Sequence, residues 1–132
     1  MPIADHILSE LRAVLGDRLS TGESDRTLHG ASETFHSAPP PDAVAWPLTT
    51  EEVSAVLKIC NAHGVPVIGW GTGTSLEGHA LAVRGGLVLD MMRMDRVLDI
   101  RPADLLAVVQ PGVTREALNK ELRATGLMFP VD

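Results

Sequence analysis

Aromatic side chains are scarce in this chain: two tryptophans, two phenylalanines and no tyrosine, 3% of 132 residues. The core must therefore be aliphatic and rich in methionine, and few rings are on hand to stack against a planar ligand. Cysteine is nearly absent. Cys60 stands alone, which excludes an internal disulfide and fits a reducing compartment. Basic excess is missing as well. The formal net charge of −6 argues against nucleic acid as a partner. No apolar run approaches the ~20 residues that span a bilayer. The opening Met1-Pro2-Ile3-Ala4-Asp5-His6 lacks the basic start of a secretory signal. A cytoplasmic protein, at most peripheral to a membrane, is the expectation. What remains is ordinary for a globular chain, 45% hydrophobic and 21% charged, and long enough for one domain with a usable core.

Glycine is where the sequence becomes specific. Val65-Pro66-Val67-Ile68-Gly69-Trp70 reads as a buried strand. It breaks into Gly71-Thr72-Gly73-Thr74-Ser75-Leu76-Glu77-Gly78-His79. Glycines at alternate positions let the backbone adopt positive φ without a Cβ clash, and successive amides can then converge into a concave nest for an anion. Thr72, Thr74 and Ser75 add hydroxyl donors at the same place. No Lys or Arg lies between Gly69 and Ala82, so backbone and hydroxyl dipoles would do the holding, as suits a pyrophosphate in an enclosed site. Two better-known phosphate loops are excluded. G-x-G-x-x-G fails in both registers, because Thr74 and Leu76 fall where the last glycine belongs. A Walker A loop needs a lysine where Thr74 follows Gly73. Glycine count alone leaves a ligand-free connection equally open.

The rest of the chain supplies an α+β pattern, a small mixed sheet flanked by helices. Apolar residues at Ile7, Leu8, Leu11, Val14 and Leu15 predict a helix over 3–15 that stops at Gly16. Residues 17–41 show no sustained period and read as irregular, with Pro39-Pro40-Pro41 a stiff spacer. His29 and His36 lack the further ligands that zinc requires, so a solvated loop is expected there and no metal site. Residues 43–48 predict a short strand, at an edge or ending at Pro47. Thr49 and Glu52 make a capping box for a helix whose apolar face is Val53, Val56, Leu57 and Cys60, ended by Gly64. Cys60 on that face is read as a packed hydrophobe. Gly85-Gly86 is a turn, 87–89 a fully apolar strand, and Met91, Met92 and Met94 fillers of an irregular gap. Strands at 97–100 and 105–109 flank a hairpin turn. Thr114 caps a last helix that turns Ala117, Leu118 and Leu122 to the core and ends at Gly126, before an extended segment from Leu127. Asp90 and Asp95 lie beside apolar runs, where charge is usually solvated or structural, and no general base is assigned.

The glycine stretch from Gly69 to His79, followed by Arg84-Gly85-Gly86-Leu87-Val88-Leu89-Asp90 and Met94-Asp95-Arg96-Val97, resembles the FAD-linked oxidases of the vanillyl-alcohol oxidase / p-cresol methylhydroxylase superfamily. Within it, the chain looks most like the branch of D-lactate dehydrogenases and the glycolate oxidase FAD subunit. Gly69 departs from the pattern, since family members usually carry proline there. The resemblance implies that residues 39–132 are the N-terminal part of a PCMH-type FAD-binding domain, following an N-terminal helix and irregular segment over 1–38. It implies that Trp70, Gly71, Thr72, Gly73, Thr74, Ser75, Leu76, Gly78 and His79 contact FAD. Pro130 and Asp132 resemble positions near the flavin ring, and Gln110-Pro111-Gly112-Val113 a turn near the adenine. Some relatives attach FAD through a loop histidine. Gly73 and Thr74 stand at the corresponding places, which implies a non-covalent flavin. The implied reaction takes a 2-hydroxy acid to its 2-oxo acid, with electrons leaving to a cytochrome, quinone or flavoprotein. Catalytic and metal-binding residues are then expected beyond a chain that reads as a fragment. A non-catalytic flavin- or nucleotide-binding module, or another superfamily reaction such as ether-lipid synthesis or phenol oxidation, stays open beside this reading.

Overall fold

The computed structural model describes residues 2–131. Its centre is a four-stranded sheet in the order β1-β2-β4-β3. The strands are β1 (Leu19–Ser20), β2 (Ala43–Ala45), β3 (Val67–Trp70) and β4 (Leu87–Asp90). β2 and β3 both run parallel to β4, whereas β1 is antiparallel to β2. β4 is flanked on both sides and buried throughout, which is why Leu87-Val88-Leu89 is continuously apolar. β3 lies at the sheet edge. Of its four residues only Trp70 is buried, and Gly69 is exposed. The expectation of a buried strand is therefore corrected: β3 is partly exposed. β2 is interior to the sheet and stops before Pro47, whose missing N–H would have broken the ladder.

Two helices cover one face of this sheet. α1 (Asp5–Leu15) buries Ile7, Leu11 and Leu15, and α3 (Thr50–His63) buries Val56 and Cys60. Together with Ala43, Ala45, Leu87 and Leu89 these side chains form one aliphatic core. The N-terminus of α3 follows its sequence signature: the Thr49 hydroxyl accepts from the Glu52 amide at 3.1 Å, and the Glu52 carboxylate accepts from the Leu48 amide at 2.7 Å. At the other end Gly64 takes the left-handed φ of 64° that closes the helix. Leu57 does not share the buried face and is 44% exposed. The α1 contact falls on the Val56–Cys60 stripe, and Leu57 is turned away from it. Burial pushes the Cys60 thiol pKa up, as befits a packed hydrophobe.

Residues 17–41 hold more order than their pattern suggests. A 3₁₀ turn at Gly16–Arg18 leads into β1, and α2 (Glu23–Leu28) follows. Two- and six-residue elements are too short for a period to register. α2 also lacks a side-chain cap, having Gly22 at its N-cap.

Beyond β4, β5 (Val97–Arg101) and β6 (Leu106–Val109) form a separate antiparallel pair joined through a 3₁₀ turn at Pro102–Asp104. Leu105 leaves the expected strand, adopting a φ of 53° to close the connection. α4 (Arg115–Leu122) is capped by the Thr114 hydroxyl, which accepts from the Ala117 amide at 3.2 Å. Leu118 and Leu122 are buried as expected, but Ala117 is exposed. Residues 127–131 belong to no helix or strand. Among the described residues no helix is long and apolar enough to cross a membrane.

Candidate functional site

The C-terminal ends of the three parallel strands meet along one edge of the sheet. There β2 runs into Trp46, β3 into Gly71, and β4 ends at Asp90. The connection from β3 to β4 is the glycine stretch. In open sheets with parallel strands, ligands bind at this carboxyl edge. Trp70, the last residue of β3, is paired with Asp90, and its carbonyl accepts from the Met91 amide at 2.9 Å. Its indole folds back beneath the loop. At Gly73, whose φ is 72°, a Cβ would overlap the six-membered ring of Trp70. Glycine is thus required there twice, by conformation and by space. Gly71 differs: a Cβ there would meet nothing within 4 Å, so it faces open space.

The amides of residues 71–77 donate to no acceptor among the described residues, and a turn at Leu76–Glu77 closes the stretch at Gly78. Nearly all backbone donors in a folded chain find a partner or solvent, so a row of free N–H groups on an otherwise ordered loop is a surface suited to an anion. The hydroxyls add to it. Thr72 Oγ1 and Thr74 Oγ1 lie 3.0 Å apart, and Ser75 Oγ is 2.8 Å from His79 Nδ1. His79 is exposed at the loop exit, and Leu76 is 62% exposed. The arrangement fits a pyrophosphate: many neutral donors, an open space at Gly71 and no carboxylate from Gly71 to Leu76. The carboxylate of Glu77 comes only after the hydroxyl residues.

Behind Trp70 lies a pair that the sequence did not reveal. His29 is 3% exposed and so is no solvated loop residue. Its Nδ1 faces the Asp25 carbonyl at 2.8 Å and its Nε2 faces Asp90 Oδ2, also at 2.8 Å. The other Asp90 oxygen accepts from the Met92 amide at 2.9 Å. The His29 ring packs 4.9 Å from Trp70 and 5.8 Å from Trp46, centroid to centroid. Asp90 thus takes the structural option left open for it. His36, by contrast, is exposed. A lone histidine without period and an aspartate closing an apolar strand carry no joint signal at 61 residues' separation.

The end of β2 is fixed by a second polar set. Arg18 donates to Glu52 Oε1 and Oε2 at 2.6 and 2.7 Å and to the Trp46 carbonyl at 3.1 Å. Hydrogen bonding from Arg18, opposed by desolvation and helped by the Leu48 amide, lowers the Glu52 pKa to about 2. The same bond raises that of Arg18.

The other expected contacts lie apart from the loop. Gly112 docks on the turn after β4, its amide donating to the Met94 carbonyl at 2.8 Å. Pro130 is exposed, in a segment tied to α4 through Phe129 and Asn119 at 2.7 and 3.0 Å. Asp132 lies outside the described residues. An apolar groove of about 240 Å³ between the β5–β6 hairpin, α4 and Leu127, Met128 and Phe129 contains no loop residue. Among the described residues, no cluster of three His, Cys, Asp or Glu is placed to hold a metal.

Fold and site together define an α+β unit with an amide-lined anion cradle at the carboxyl edge of its parallel strands. Residues 41–132 match the FAD-binding domain family, and the chain belongs to that family, whose cofactor is FAD. It is 45% identical over 129 residues to the probable mitochondrial D-lactate dehydrogenase of Danio rerio, covering 97% of this chain and 26% of that protein. It is 40% identical over 126 residues to the D-2-hydroxyglutarate dehydrogenase of Xanthomonas citri pv. viticola, covering 96% and 27%. Among solved structures it superposes on substrate-bound p-cresol methylhydroxylase with a TM-score of 0.82 at 28% identity, covering 93% of this chain and 25% of that one. The chain thus spans about a quarter of the length of these relatives.

Proposed function

We propose that the loop over 71–79 grips the pyrophosphate of FAD and that the chain is the cofactor-holding part of an oxidoreductase taking a 2-hydroxy acid to its 2-oxo acid. The observation that carries this is the row of loop amides without an acceptor among the described residues, at the carboxyl edge of the parallel strands. Trp70 supports the loop from below, Gly71 leaves room for the phosphate, and Gly73 and Gly78 let the backbone turn. Thr72, Thr74 and Ser75 supply hydroxyls, His79 orients Ser75, and Leu76 is an exposed apolar contact for the cofactor. Pro130 and Asp132 belong to the flavin end of the site in this reading. Residues 39–132 are the cofactor-binding part in this reading, and the preceding segment over 1–38 adds β1 to its sheet.

When bound, the flavin supplies the hydride acceptor. The part played by this chain is to bind and orient it, and no residue here is assigned to catalysis. FAD is held without a covalent bond, because Gly73 and Thr74 offer no nucleophilic ring. Relatives named for D-lactate and D-2-hydroxyglutarate support the 2-hydroxy acid class. The electron acceptor is a cytochrome, quinone or flavoprotein, met in a reducing compartment or at a membrane surface.

Titration with FAD tests the loop. Gly71→Val should fold normally, since a Cβ meets nothing within 4 Å, and should weaken FAD by about tenfold or more, or roughly 1.4 kcal/mol. Equal affinity in both proteins would overturn the reading. Release of FAD on acid precipitation tests the non-covalent bond. Bleaching of flavin absorbance at about 450 nm by a 2-hydroxy acid, measured on the whole oxidoreductase of which this chain is the cofactor-holding part, tests the substrate class.

A further inference from the structure

Part of the loop's support comes from residues 29–36, which precede the family match at 41–132. Ser32 Oγ donates to the Ser75 carbonyl at 3.1 Å. A Cβ at Gly78 would lie 3.3 Å from His36 Cδ2 and 3.7 Å from Thr34 Oγ1. His29 packs 4.9 Å from the Trp70 indole, which fills the space beneath Gly73.

His29 is itself held rigidly. The Asp25 carbonyl can only accept, so Nδ1 carries a hydrogen. Asp90 Oδ2 sits 2.8 Å from Nε2, a hydrogen bond that requires a proton between them. With Asp90 Oδ1 satisfied by the Met92 amide, every polar atom of the pair has a partner. Fully satisfied buried networks hold their side chains in one arrangement. Amides that bind an anion do so well only when they are held in place beforehand.

We propose that His29, clamped to Asp90, is a positioning residue for the cofactor loop: it fixes the Trp70 indole under Gly73 and thereby holds the amides of 71–77 in their anion-binding arrangement. This rests on the reading of that loop as the pyrophosphate site.

The test compares His29→Leu, Asp90→Leu and Asp90→Asn with Gly71→Val and with Val56→Ala, a core change on the opposite face of the sheet. Two readouts are taken on the 132-residue chain: the FAD dissociation constant, and the NMR shifts of the Gly73 α-hydrogens, which the indole ring current displaces. His29→Leu and Asp90→Leu should weaken FAD about tenfold and return the Gly73 shifts toward ordinary values. Asp90→Asn should keep both close to those of the unaltered chain, because the amide oxygen can still accept from the Met92 amide while the NH2 group donates to Nε2 of a neutral imidazole. Val56→Ala should lower the melting temperature and move neither. If His29→Leu does not fold, His29→Gln takes its place with the same expectation. The proposal is overturned if Gly71→Val weakens FAD while the His29 variant leaves affinity and shifts unchanged, or if Val56→Ala moves both as far as His29→Leu does. If Gly71→Val binds FAD like the unaltered chain, the pyrophosphate reading itself falls, and the cofactor role of the clamp falls with it.

Discussion

Ala43, Ala45, Leu87 and Leu89 pack on one face of the central sheet, and Val44, Val88, Ile68 and Trp70 on the other. The alternation is the ordinary pleat of β2, β3 and β4, yet the two faces are closed in different ways. The first is sealed by α1 and α3 with aliphatic side chains and one inert thiol. The second is covered by loops and holds both tryptophans, the His29–Asp90 pair and the glycine stretch. Apolar burial is non-directional, so the helical face can be filled by any shapes that fit. Hydrogen bonds and ring contacts are directional, so the loop face can hold backbone donors at fixed places. The difference shows how one small sheet supplies both a stabilising core and a binding edge.

The largest expected effect belongs to the helical face. Leu11 is fully buried between α1 and the sheet, and Leu11→Ala should cost about 2–5 kcal/mol in denaturant unfolding. The FAD affinity of the folded fraction should not change. A change in affinity would mean that the faces are coupled. The reverse result is expected from Gly73→Ala. At a φ of 72° and against the Trp70 ring, the added methyl should cost about 1–3 kcal/mol and weaken FAD by more than Gly71→Val does. Full affinity in Gly73→Ala would show that the loop shape is not required.

Smaller effects arise at the seam between the faces, where Arg18 holds Glu52. The folded pKa of Glu52, about 2, lies below its ordinary value of 4.5. The pair therefore contributes stability that is fully present above pH 4.5 and is lost as pH falls toward 2. Glu52→Gln should flatten the acid limb of the unfolding profile and, for a partly exposed pair, cost about 1 kcal/mol or less at neutral pH. An unchanged acid limb would remove Glu52 from the account. The smallest effect concerns Cys60, which is 1% exposed with a raised thiol pKa. A thiol alkylating reagent should label it only in denaturant. Rapid labelling under native conditions would show that the helical face opens easily.

Much of this architecture is legible along the chain because its cause is local. The capping box of Thr49 and Glu52, the stop at Gly64, the apolar run of β4 and the cap at Thr114 each depend on neighbours within a few residues. The glycine stretch is legible for the same reason, since a backbone that must turn and expose amides needs glycine at those positions. Which residues face which neighbour was less visible. Leu57 and Ala117 fit a helical stripe but lie outside the contact that α3 and α4 make. β1 and α2 were too short to leave a period.

What the order of residues alone determined is the set of local elements, and a loop whose amides have no strand or helix to join. Only the tertiary structure decided that Trp70 would lie under Gly73 and that His29 and Asp90 would meet. Those contacts depend on the strand order β1-β2-β4-β3 and on the path of residues 17–41 back across its edge. Pairings over such separations arise from how the elements pack together, and no local pattern encodes them.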